Sequence, residues 1–163
     1  ARLFPEAEIV ARYVDSVRYE VLERTFAELD RVRVVPFEGI RDACLEAADL
    51  VLLDVPCSNT GVLARRVEAR YRYSTRRREQ LVGVQRQIIA EAIPLLKRDG
   101  GTPGRILYST CSLDPEENQA QAKWASRWHH FSVEREHVRM PTGGPGDPPT
   151  GYSDGAYAVL LSQ

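Results

Sequence analysis

Apolar side chains along the chain change their period several times, and each change predicts an element. Residues 8–14 are β-like and end at Asp15. From 16 to 29 the apolar positions are Val17, Val21, Leu22, Phe26 and Leu29, a helical period. Residues 32–37 read as a second strand and 40–48 as a short helix. Leu50-Val51-Leu52-Leu53 is apolar throughout, as expected of a strand covered on both faces. A polar, Arg-rich loop follows over 63–74. Residues 80–96 predict a long amphipathic helix with Leu81, Val84, Ile88, Ile89, Ala92 and Leu96 on its apolar side, stopped by Asp99-Gly100-Gly101. A fourth strand spans 105–108. Pro115 opens another helix that runs to about Trp128. A fifth strand covers 131–136, a Pro/Gly-rich loop 141–150, and a last strand 156–161.

Strand–helix alternation of this kind implies an α/β fold, a mostly parallel sheet with right-handed crossovers. No helix separates the last two strands, so an antiparallel hairpin is expected at one edge. The 163 residues suffice for a single domain, 1–163, with a real core. The chain begins at Ala1 without a methionine, and Arg2-Leu3-Phe4-Pro5 reads as a helix end and a turn. An upstream segment is therefore expected.

Composition narrows the partners. Net charge is −1, so no global basic field draws the chain to nucleic acid. No apolar run approaches the roughly 20 residues of a membrane span, and no signal peptide is expected. The cysteines Cys44, Cys57 and Cys111 are odd in number and widely spaced. A zinc site or a disulfide framework is not expected, and free thiols suit a reducing, cytoplasmic setting.

Candidate chemistry sits where strands are predicted to end, because ligands of open α/β sheets bind beyond the carboxyl ends of the strands. Asp15, Glu38, Asp54 and Cys111 all fall there. Asp15 can accept from both hydroxyls of a ribose, or it can simply cap the helix that follows. Glu38 reads most simply as a solvated loop carboxylate. Asp54 follows a buried strand, where a carboxylate is costly without a partner. Cys111 lies between a strand and the helix opened by Pro115, and a helix N-terminus stabilises a thiolate. Cys44 reads as a small buried apolar group. Arginines 65, 66, 70, 72, 76, 77, 78 and 86, with Tyr71 and Tyr73 among them, form either a surface for RNA phosphates and bases or a solvated face. His129 and His130 are adjacent and point apart, which argues against a shared metal.

The run Asp54-Val55-Pro56-Cys57-Ser58-Asn59-Thr60-Gly61 resembles one signature of the Sun/Fmu-type (RsmB-like) RNA cytosine-5 methyltransferases. Tyr108-Ser109-Thr110-Cys111-Ser112 with Glu116-Glu117-Asn118 resembles the second. Gln85 and Asp154-Gly155-Ala156-Tyr157 also fit the pattern. The resemblance implies a Rossmann-like class I methyltransferase domain that uses S-adenosylmethionine to methylate carbon 5 of cytosine in RNA, ribosomal or transfer. It implies Cys111 as nucleophile and Cys57 as the group assisting proton removal or adduct release. Asp54 would contact the cytosine and border the cofactor, Asp15 would hold the ribose, and Glu38 would stand where the family has an aspartate near the adenine. No metal and no membrane are implied. The family's first strand and Gly-rich loop, expected upstream of Ala1, are not in the chain. The alternative is a catalytically silent RNA-binding or assembly module on the same fold. Amino-directed methyltransferases differ in carrying Asn/Asp-Pro-Pro-aromatic where this chain has Asp-Val-Pro-Cys.

Overall fold

The computed structural model describes residues 4–13, 15–98, 101–144 and 146–163. The predicted turn at Arg2-Leu3, the end of the first strand at Val14 and the helix stop at Asp99-Gly100 lie outside them.

Two ladders carry the strands. β1 (Ile9–Arg12) pairs in parallel with β2 (Val32–Val35). Between them runs α1 (Ser16–Phe26), whose first turn is capped by Asp15: its Oδ1 accepts from the Arg18 N–H at 3.1 Å. A 3₁₀ turn and the short α2 (Ile40–Cys44) lead to the second sheet. That sheet has the order β3-β4-β6-β5, from β3 (Leu50–Asp54), β4 (Arg105–Thr110), β5 (Ser132–Arg139) and β6 (Ala156–Ser162). β3 and β4 are parallel, with Leu53 opposite Tyr108 and Asp54 opposite Ser109. β6 runs against both β4 and β5. The expected hairpin is present, but the reversed strand lies one place in from the edge, and β5 forms the rim.

β3 differs from the expectation of a strand covered on both faces. Among the described residues it pairs only with β4, and Leu50 and Leu52 are 46% and 64% exposed. The opposite face, with Leu53 buried, meets the core. An all-apolar run therefore marks a strand here, while its burial is one-sided. Among the described residues, no ladder joins β3 to the β1–β2 pair.

Two helices depart from their predicted bounds. α4 (Thr75–Ala92) starts earlier than expected because Ser74 caps it, accepting from the Arg77 N–H at 3.2 Å. It ends at Ala92, and a 3₁₀ turn Ile93–Leu95 follows, because Pro94 has no N–H to continue the helix. A short helix, α3 (Glu68–Arg72), occupies the predicted Arg-rich loop. α5 (Gln119–His129) begins four residues after Pro115. Residues 115–118 form a turn instead. Asn118 leaves helical geometry with ψ −100°, and the Glu117 carbonyl accepts from Tyr108 Oη at 2.6 Å. His130 closes α5 in the left-handed conformation.

The core lies between the inner faces of β3, β4 and β6 and the helices α4 and α5. It is built on Ile89, Leu96, Ile106, Tyr108, Ala125, Tyr157 and Leu161. The buried stripe of α4 is Leu81, Gln85, Ile89 and Ala92. Val84, predicted to face inward, is 44% exposed. Ile89→Ala is expected to cost about 2–5 kcal/mol of unfolding free energy in denaturant melts, while Val84→Ala stays within about 0.5 kcal/mol. Equal losses would contradict this orientation of α4.

Candidate active site

The parallel register of β3 and β4 explains why two distant cysteines meet. Asp54 and Ser109 are partners, so the segments that follow them leave the same end of adjacent strands. The backbone then stitches the two loops together: Val55 N–H donates to Ser109 O at 3.2 Å, and Gly61 N–H to Cys111 O at 2.9 Å. The start of β6 joins them, with Gly155 N–H donating to Gly61 O at 2.8 Å. A Cβ on Gly61 would lie 2.7 Å from both Cys111 O and Gly155 O, so only glycine fits this three-way approach. Cys57 Sγ and Cys111 Sγ end 3.3 Å apart.

One carboxylate holds the loops in place. Glu117 is fully buried. It accepts from Ser58 N–H at 2.9 Å, from Ser112 Oγ at 2.6 Å, from Gln85 Nε2 at 3.1 Å and from Ser58 Oγ. Both serine protons thus point at Glu117. Thr60 Oγ1, 3.1 Å from Ser112 Oγ and 3.5 Å from Ser58 Oγ, then has a serine oxygen to donate to, and it accepts from Leu113 N–H at 2.9 Å. Gln85 spends its second amide hydrogen on Pro56 O at 3.0 Å. Asn118 completes the second loop, accepting from Thr110 Oγ1 at 2.7 Å and donating to Ser112 O at 2.9 Å.

The two thiols differ in their chemistry. Hydrogen bonding from Cys57 is the largest influence on Cys111 and lowers its pKa to about 7 from the usual 9.0. Its own backbone N–H and the Arg66 guanidinium act in the same direction, while burial and the Asp54 carboxylate oppose them. The same bond, and then burial, push the Cys57 thiol up. The result is one sulfur poised to ionise beside one that keeps its proton. Asn59, with φ 61°, adds a further contact. While Cys111 is protonated it donates to Asn59 Oδ1 at 3.0 Å, and Asn59 Nδ2 donates to Cys57 O at 3.1 Å. The helix-terminus explanation for Cys111 does not hold, because α5 begins eight residues further on. The neighbouring thiol does that work.

The other candidate residues divide. Asp54 is exposed at the end of β3, close enough for its charge to act on Cys111. Asp15 and Glu38 are also exposed, but they follow the strands of the separate β1–β2 pair. Asp15 caps α1 through one oxygen. Exposed carboxylates following parallel strands are acceptors of the kind that ribose hydroxyls and an adenine amino group require, so this donor–acceptor chemistry fits a nucleoside-bearing cofactor. Cys44 lies outside the thiol pair, and burial pushes its thiol up. Ser58, Asn59, Ser112 and Glu117 received no role from sequence. A signal existed for Gln85: it is the one polar residue on the Leu81–Ile89 stripe.

The arginines also divide. Arg65 pairs with Asp154. Arg78 lies 3.6 Å from Asp114 and 3.5 Å from Glu116. Arg86 sits over the Trp124 ring, 5.4 Å from its centroid. Among the described residues, no group of three His, Cys, Asp or Glu side chains is placed to hold a metal, and no helix is long and apolar enough to cross a membrane.

Residues 2–143 match the family described as 16S rRNA methyltransferase RsmB/F. A ribosomal RNA small subunit methyltransferase F from Escherichia coli O6:H1 is 33% identical over 138 residues, covering 82% of this chain and 28% of that protein. The same enzyme name and identity recur in Shigella boydii serotype 18. The chain thus spans 28% of the length of these curated relatives. Among solved structures, NSun6 from Pyrococcus horikoshii with SFG, an S-adenosylmethionine analogue, superposes with a TM-score of 0.72 at 26% identity, covering 99% of this chain and 42% of that one. A methyltransferase homologue from the same organism superposes at 0.66 with 20% identity over 98% of this chain and 54% of that one, which supports the class I methyltransferase fold.

Alkylation of Cys111 by iodoacetamide, followed by peptide mass spectrometry, is expected to rise with pH about a midpoint of about 7. In Cys57→Ala the donated hydrogen bond is gone, and the midpoint should move up toward the ordinary thiol value. An unmoved midpoint would mean that Cys57 does not activate Cys111. Glu117→Ala leaves Ser58 N–H and Gln85 Nε2 short of an acceptor and should cost at least about 2 kcal/mol in a denaturant melt.

Proposed function

The chain belongs to the 16S rRNA methyltransferase RsmB/F family, and from that premise we propose that it is the catalytic domain of an S-adenosylmethionine-dependent enzyme methylating carbon 5 of cytosine in ribosomal RNA, in a cytoplasmic setting. The observation that carries this reading is the pair of sulfurs 3.3 Å apart, one with its pKa lowered to about 7. Methylation of an amino group needs no thiol. Carbon 5 of cytosine is a poor nucleophile until a sulfur has added to carbon 6.

In the proposed reaction the Cys111 thiolate bonds to carbon 6, and the electrons of the 5,6 double bond move to carbon 5. S-adenosylmethionine, when bound, supplies an electrophilic methyl group to that carbon. Asp54, exposed at the end of β3 with its charge felt by Cys111, would accept from the cytosine amino group, a pairing that carboxylates make with this base. Asp15 and Glu38 offer acceptors for ribose and adenine.

Cys57 changes role during the cycle. At rest it is protonated and steadies the Cys111 thiolate. Once Cys111 is a neutral thioether, the main cause of the raised Cys57 pKa is gone. Cys57 can then lose its proton to solvent and take the proton from carbon 5. The double bond re-forms and the Cys111 thiolate is expelled, which restores the resting pair. A silent binding module would have no use for this unequal pair.

With the whole gene product and a ribosomal RNA fragment, Cys111→Ala is expected to abolish methyl transfer and the adduct formed on 5-fluorocytosine RNA. Cys57→Ala is expected to retain adduct formation and accumulate a covalent RNA complex on denaturing gels. Wild-type turnover in Cys111→Ala, or an adduct mapped to another residue, would overturn the reading.

A further inference from the structure

α4 opens against a general electrostatic preference. The N-terminus of a helix carries partial positive charge and favours acidic side chains. The first turn of α4 has none, and it carries Arg76, Arg77 and Arg78 in succession. Ser74 caps one backbone N–H, but no charge offsets the arginines from within the turn. Only Arg78 among these three has carboxylates within ion-pair distance among the described residues, at Asp114 and Glu116. A local rule broken in this way, and compensated inside the fold at Arg78 but not at Arg76 or Arg77 among the described residues, points to a site whose missing charge comes from a ligand.

A cleft supplies the second, independent observation. Arg66, Arg72 and Arg77 line a cavity of about 110 Å³, from the loop after Gly61, from α3 and from α4. None of these three guanidiniums lies within 4.0 Å of a carboxylate among the described residues, although Glu68 also lines the cavity. Tyr73 lines it as well, its hydroxyl fixed to Asp114 at 2.6 Å. Cys57 and Asn59 complete the wall, so the cleft reaches one member of the sulfur pair, and Cys111 lies 3.3 Å beyond it. Arg66 is near enough to Cys111 for its charge to favour the thiolate.

We propose that this cleft is a subsite for a backbone phosphodiester of single-stranded RNA, adjacent to the pyrimidine presented to Cys111. Guanidinium forks match phosphate oxygens in pairs, and the N-terminus of α4 adds its dipole. A phosphate placed there supplies the negative charge that the first turn of α4 lacks. It also ties the substrate strand to the loop that carries Cys57, so the base enters in a fixed register. Arg78, anchored through Asp114 and Glu116, connects this wall to the loop of Cys111. The inference rests on the RNA substrate proposed above and assigns its nearest backbone contact.

The test uses the whole gene product and a fluorescent single-stranded RNA containing the target cytosine. Binding is read by anisotropy across a series of salt concentrations. The doubly substituted Arg72→Ala/Arg77→Ala protein should lose affinity and show a slope of log Kd against log salt that is shallower by about 0.7 for each phosphate contact removed. Arg70→Ala, on α3 but outside the cleft, should match wild type. An RNA with a neutral methylphosphonate beside the target cytosine should bind wild type more weakly and remove the difference between wild type and the double variant. An unchanged slope in a double variant with normal thermal unfolding would overturn the subsite, and so would an equal loss in Arg70→Ala. Trapping on 5-fluorocytosine RNA separates the two readings. An adduct at Cys111 with an unchanged slope rejects the cleft and leaves the catalytic reading standing. A shallower slope with no adduct in wild type does the reverse.

Discussion

The arrangement of the site depends on one buried anion. A carboxylate is an acceptor only, and inside a protein it must gather donors or give up its charge. Glu117 gathers them from three segments: Ser58 from the loop after β3, Ser112 from the loop after β4, and Gln85 from α4. Each of those donors is also engaged elsewhere in the network, so the loops cannot slide independently. The spacing of the sulfurs follows from this clamp and from the register of β3 on β4. It does not require any attraction between the thiols themselves.

The inequality of the two thiols has a similar origin. Two like acids 3.3 Å apart cannot both ionise cheaply. The more deeply buried Cys57 keeps its proton, and Cys111, which has Arg66 nearby, becomes the better anion. Once that choice is made the hydrogen bond between them reinforces it. The pair therefore behaves as one acid–base unit, and in the proposed reaction its members exchange roles when covalent chemistry neutralises Cys111. Asn59 belongs to the same unit in its fully protonated state, where its Oδ1 receives the Cys111 hydrogen.

The surroundings of the pair are unevenly charged. Asp114 and Glu116 lie beside Arg78, and Tyr73 donates to Asp114, so these groups are neutralised by internal partners. In the cleft that Tyr73 and Arg78 also line, Arg66, Arg72 and Arg77 have no such partners among the described residues. The proposed phosphate subsite therefore needs no large net charge on the chain, because the unbalanced charge is local.

The sequence by itself determined the class of fold, through alternating periods of apolar residues, and the two motifs around Cys57 and Cys111 that mark the chemistry. Periodicity reports local geometry, and these motifs are local, so both can be read from a linear string. It also located Gln85 and Glu117, without saying what they do. Tertiary structure alone decided that Glu117 is the clamp, that the Arg-rich run splits into paired and unpaired arginines, and that α5 waits until Gln119 so that Glu117 and Asn118 can turn into the site. It also decided that the apolar run of β3 is covered on one face only, because coverage depends on which helices pack on each side of the sheet and not on the strand's own residues. Burial, hydrogen-bond partners and thiol acidity are properties of neighbours brought together from remote positions, and no pattern confined to one segment encodes them.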